Sequence, residues 1–101
     1  MKSHYEIPGS LKTLLTLDFN QAESEAKLRY RDHMGATTEW RVTSLGHTEV
    51  RSWQFEGGLI SYIPAQGAPR AREELLKLKA AWPPLTEQWY KRLDAALLNH
   101  N

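Results

Sequence analysis

Residues 20–34, NQAESEAKLRYRDHM, decide whether this chain is built mainly of sheet or mainly of helix. Both periods fit part of the stretch. As a helix, Asn20 is an N-cap with Glu23 three positions on, the pattern of a capping box. Glu23 with Lys27 and Glu25 with Arg29 then make correctly oriented i,i+4 pairs, and Gly35 supplies the stop. The helical apolar stripe is thin, however: Ala22, Ala26, Tyr30 and Met34, with Leu28 on the wrong side. As a strand, Ala26, Leu28 and Tyr30 point inward, while Lys27, Arg29, Arg31 and His33 point outward. The strand period uses Leu28 and accounts for the regular cations. A turn over Asn20–Ser24 followed by a strand is therefore the preferred reading.

The flanks support sheet. Before this stretch, Leu11, Thr13, Leu15, Leu17 and Phe19 alternate on one face after a Pro8-Gly9-Ser10 entry, which predicts a strand with one buried face. After it, Thr37 to Leu45 is rich in β-branched and aromatic residues, with Trp40 and Val42 facing one way and Glu39 and Arg41 the other. Gly46-His47 marks a turn. Thr48 to Glu56 gives a further strand, with Trp53 and Phe55 on a shared face and assigned to the core with Trp40. Val50 is out of phase with them, which suggests a bulge. Gly57-Gly58, between two apolar β runs, predicts a two-residue hairpin turn leading into Leu59–Ile63.

Beyond Pro64 the period becomes helical. Pro69 suits a first helical turn, and Ala71, Leu75, Leu78 and Trp82 form one stripe. Pro83-Pro84 ends this helix. A second, from about Leu85 to Leu98, carries Leu85, Trp89, Leu93, Ala96 and Leu97 on its apolar side. The expected fold is α+β: one domain over residues 1–101, an antiparallel meander of about five strands within 11–63. Two C-terminal helices, about 69–82 and 85–98, pack on one sheet face.

Composition narrows the function. One hundred and one residues hold a single core, and a 41% hydrophobic and 25% charged make-up is that of an ordinary globular domain. With no cysteine there is no disulfide framework, thiolate metal site or thiol chemistry. The polar first residues lack the apolar core of a signal peptide, and no apolar run approaches the roughly 18 residues of a membrane span. A cytoplasmic protein without membrane association is expected. A net charge of +1 argues against bulk capture of nucleic acid.

His4, His33, His47 and His100 are scattered, without the spacing of a zinc or di-metal site. Nucleophile elbows, phosphate loops and dinucleotide fingerprints are absent, and no cofactor is implied. The sharpest polar feature is the ladder Lys27, Arg29, Arg31 and His33, widened by Arg41 and Arg51 on neighbouring strands. It reads as a solvated face, as a surface for an acidic protein, or as a single-strand nucleic-acid platform with aromatic residues nearby. Tyr90 lies off the second helix's stripe beside Lys91 and Arg92, the composition of an interaction hot spot. The loop 64–72, with Arg70 and Arg72, is a further candidate anion site.

The expected function is non-enzymatic binding of another macromolecule, foremost a protein, by a small accessory, adaptor or inhibitor. The size and composition suit a bacterial or phage regulatory factor. Single-stranded nucleic-acid binding through the basic face is the alternative, and a small enzyme with a site built across the sheet is a third reading. The expected macromolecule-binding residues are Lys27, Arg29, Arg31, His33, Arg41 and Tyr90.

Overall fold

The structure, a computed structural model, describes residues 2–9, 12–20, 24–81 and 87–99. Leu11, Ala22, Glu23, Trp82, Pro83, Pro84, Leu85 and His100 lie outside the described residues, as do the side chains of Thr13 and Leu78.

Six strands form one antiparallel sheet in sequence order: β1 (Lys2–Gly9), β2 (Lys12–Asn20), β3 (Glu25–Arg31), β4 (Thr37–Thr43), β5 (Thr48–Glu56) and β6 (Leu59–Tyr62). Helices α1 (Ala68–Ala81) and α2 (Glu87–Asn99) follow. The α+β meander is the expected one, with β1 as an additional strand. That strand has little apolar alternation of its own, and it is defined by pairing from Lys2 opposite Asn20 to Gly9 opposite Lys12. Its one register shift, between Ile7 and Pro8, falls where a proline lacks the amide that a ladder needs.

The decisive stretch is a strand. Its alternation is strict: Ala26, Leu28 and Tyr30 are buried, while Arg29 is exposed. Local turn chemistry completes the β3–β4 hairpin. The Asp32 carboxylate accepts the amides of Met34 and Ala36, each at 2.9 Å, and Gly35 takes φ 85°. At the next hairpin Gly46 takes φ 86° and donates its amide to the Thr43 carbonyl. Gly57 and Gly58 form the expected tight turn, both with positive φ, at 57° and 82°.

The core lies between one sheet face and the helices. Leu15 and Leu17 of β2, Leu28 of β3 and Trp40 and Val42 of β4 are essentially sealed from water. Against them pack Ala71 and Leu75 of α1, and Trp89, Tyr90, Leu93, Ala96 and Leu97 of α2. Phe19 meets Trp89 edge-on, with ring centroids 5.0 Å apart. The helices are joined at the rim by Arg72, which donates to Asp94 through Nε at 2.5 Å and through a second nitrogen at 3.4 Å. Gly67, with φ 82°, accepts the Ala71 amide at the start of α1 and leaves no room for a side chain beside the Cδ2–Cε2 edge of the Tyr30 ring.

The expected bulge in β5 is absent. Pairing of β4 with β5 runs unbroken from Thr37 opposite Trp53 to Val42 opposite Thr48. Val50 therefore faces Trp40 on the core side, followed by Ser52, whose hydroxyl donates to Thr38 at 2.8 Å inside the protein. Trp53 and Phe55 consequently belong to the opposite face. Of the three aromatics assigned to the core, Trp40 is there, whereas Trp53 is half-buried and Phe55 is 66% exposed on the far side. Tyr90 is also corrected: it is buried at 5% exposure. Residues 90, 93 and 97 make a second i,i+3,i+7 series beside Trp89, so the apolar side of α2 is wider than a single stripe.

Candidate interaction surface

The sheet face away from the helices is assembled from every second residue of each strand. On β3 it holds Glu25, Lys27, Arg29 and Arg31, on β4 Thr37, Glu39, Arg41 and Thr43, and on β5 Glu49, Arg51, Trp53 and Phe55. On β6 it holds Ile60 and Tyr62, opposite Phe55 and Trp53. Lys27, Arg29 and Arg31 share this face as expected, and Arg41 joins them directly opposite Lys27. His33 does not. The strand ends at Arg31, and His33 is an exposed residue of the β3–β4 turn, because the Asp32 turn takes the backbone out of the ladder.

The cations are interleaved with carboxylates. Arg29 donates to Glu39 at 2.7 Å, and Arg41 reaches Glu49 at 3.4 Å, Glu25 at 3.7 Å and Glu39 at 4.0 Å. Lys27 lies 3.9 Å from Glu25. Glu39 is buried at 8% exposure, so its arginine neighbours compensate a carboxylate removed from water rather than offer free charge. The central face is thus an ion-paired lattice. Arg51, opposite Glu39, has no ion pair among the described residues. The loop arginines are engaged as well: Arg70 lies 3.5 Å from the buried Glu74 and 3.7 Å from Glu73, and Arg72 holds Asp94.

The lattice gives way to apolar surface at the β5–β6 hairpin. Phe55 is 66%, Ile60 53% and Tyr62 74% exposed on this face, beside the half-buried Trp53. The Arg29 guanidinium lies 5.7 Å from the centre of the Trp53 ring, joining the lattice to the aromatic end. Arg51, Trp53, Ile60 and Tyr62 line an open depression of about 160 Å³. The helices cover β2 to β4 and not this hairpin, so β6 is exposed along its length.

This aromatic end is the feature that sequence reasoning missed. The signal was the phase of Val50 and Ser52 with Trp40 and Thr38: an unbroken β5 places Trp53 and Phe55 outside, and only the supposed bulge brought them in. Among the described residues no group of three His, Asp or Glu side chains is placed to hold a metal ion, and no helix is long and apolar enough to cross a membrane. Comparison of the chain with models of known protein families, with curated proteins and with solved structures finds no match.

Proposed function

We propose that the chain is a small non-enzymatic binding protein, an accessory, adaptor or inhibitor, that captures another protein on the outer face of β5 and β6. One observation carries this reading: Phe55, Ile60 and Tyr62 stand exposed together beside Trp53 and the exposed Arg51. Aromatic residues and arginine dominate binding hot spots, because they bring large contact area and a desolvatable charge at small conformational cost. A monomeric surface rarely leaves such a set grouped unless it meets something. The ion-paired lattice of β3 and β4 forms the polar rim of that patch, with Lys27, Arg29, Arg31 and Arg41 serving orientation more than affinity.

The test is capture of partners from the native host by the wild-type protein and by the double variant Phe55→Ala/Tyr62→Ala. The variant keeps its circular dichroism and loses the captured protein by tenfold or more. Equal capture by both proteins overturns the reading.

A second reading, single-stranded nucleic-acid binding, is favoured by the three rings of Trp53, Phe55 and Tyr62 next to Arg51, since bases stack on such rings. It is weakened by Glu25, Glu39 and Glu49, which occupy the neighbouring cations. Titration with oligonucleotides at several salt concentrations separates the two. Nucleic-acid binding weakens steeply with salt, whereas an aromatic protein interface does not.

A further inference from the structure

The two edges of the sheet are unlike. The β1 edge carries the exposed polar His4 and Glu6, a proline and a register shift, all devices that discourage strand addition. The β6 edge carries none of these. Its sequence, Leu59-Ile60-Ser61-Tyr62, is uncharged, and all four residues are exposed.

The hydrogen-bond phase of β6 follows from its pairing with β5. The Ile63 amide donates to the Ser52 carbonyl at 3.2 Å, making that a hydrogen-bonded pair. Alternation makes Gln54 with Ser61 and Glu56 with Leu59 hydrogen-bonded too. The amides and carbonyls of Ile60 and Tyr62 therefore point away from β5, off the free edge.

We infer that β6 pairs antiparallel with β6 of a second copy about a two-fold axis through Ser61, joining two sheets into one of twelve strands. The register is fixed by parity. Directly opposed residues in an antiparallel pair share a face, so Ile60 must oppose a residue of its own face. Opposing Ile60 to Tyr62 of the second copy satisfies this and supplies both free amides and both free carbonyls with partners, twice over. It also aligns Trp53 and Tyr62 of one copy with Ile60 and Phe55 of the other in a single cross-strand row, and the two-fold repeats that row. Such aromatic and β-branched neighbours stabilise pairing. A chargeless strand meeting itself incurs no repulsion, and the helices, seated over β2 to β4, leave the joint open. This pairing goes beyond the capture of a foreign protein, and its test does not pass through one.

In this dimer Ser61 faces its own copy as a non-hydrogen-bonded pair, with α-carbons about 4.5 Å apart, within disulfide range. The chain has no cysteine, so Ser61→Cys introduces a single thiol. Mild oxidation of that variant gives a covalent dimer several-fold faster than the same treatment of Leu45→Cys, a control at an exposed turn. By sedimentation, the wild type doubles its 11.6 kDa mass as concentration rises. Ile60→Lys/Tyr62→Lys, which opposes like charges across the joint, stays monomeric. Ile60→Lys/Tyr62→Glu, which opposes unlike ones, restores the dimer in low salt. A wild type that stays at 11.6 kDa with no preference for Ser61→Cys crosslinking overturns the pairing, as does a dimer indifferent to the two-lysine variant. Loss of the dimer with partner capture intact leaves the proposed function standing, and the converse holds.

Discussion

Two tryptophans on adjacent strands, Trp40 of β4 and Trp53 of β5, experience opposite environments, and their substitution should separate them. Trp40 is sealed between sheet and α2, whereas Trp53 lies half-covered on the outer face. Trp40→Ala is expected to cost about 3–5 kcal/mol in urea unfolding, the range for emptying a core site. Trp53→Ala is expected to cost no more than about 1–2 kcal/mol, since part of its ring is already in water. Equal losses would mean that the β5 register is wrong. Gly67 provides a second check. A Cβ there would collide with the Tyr30 ring, on a backbone at φ 82° that side chains resist. Gly67→Ala should therefore lower stability by about 1–3 kcal/mol, through strain rather than lost contact. The outward place of Trp53 was legible in the phase of Val50 and Ser52 with Trp40 and Thr38, whereas Gly67 gave no local signal. Trp53 was misplaced because aromatic character was allowed to outrank the phase of the small residue Ser52, and Gly67 meets Tyr30 only through tertiary docking.

Among the elements, β3 shows what a sequence does reveal and β1 what it does not. Leu28, with the regular cations, broke the tie in β3, because a buried leucine has a place in the period of two and none in the helical stripe. β1 offered no comparable alternation, and its strand character comes from lying beside β2. One consequence of that pairing can be titrated. His4 of β1 donates to Glu6 at 2.8 Å and is hydrogen-bonded to Asp18 of β2. These carboxylates, Glu6 first, raise the imidazole pKa above its ordinary value, and only slight burial opposes them. Because the folded value exceeds the unfolded one of about 6.5, the contribution to stability is complete below that pH. It fades as pH rises through the folded value. The pair is exposed, so the contribution is small. An NMR titration of His4 should show a raised midpoint that falls back in Glu6→Gln/Asp18→Asn. A midpoint unchanged by those substitutions would show that the contact does not persist in solution. The basic ladder was legible as geometry and misleading as charge. Periodicity placed Lys27, Arg29, Arg31 and Arg41 on one face, with Glu39 and Glu49 as neutralising neighbours, while cross-strand register added Glu25 and showed which carboxylate meets which cation.

For the molecule as a whole, the α-carbon radius of gyration is 13.1 Å, as expected for a compact chain of about 100 residues. Its extents of 40 × 26 × 25 Å make it distinctly long in one direction. Each strand pairs only with its neighbours in sequence, and this meander has a kinetic consequence. All-β pairings are usually slow because distant segments must meet before any contact repays the entropy of closing the loop. Here each successive hairpin closes a short loop on a template already formed, and the long-range step is the docking of α1 and α2 over β2 to β4. The rate-limiting barrier should therefore lie at the sheet, with the helices joining after it. In stopped-flow measurements, Leu28→Ala should chiefly slow folding, and Leu93→Ala should chiefly speed unfolding. The reverse assignment would make helix docking the nucleus. A chain that assembles in this order presents its hairpins to solvent before it has a core, and the helices act as a latch that closes last and opens first.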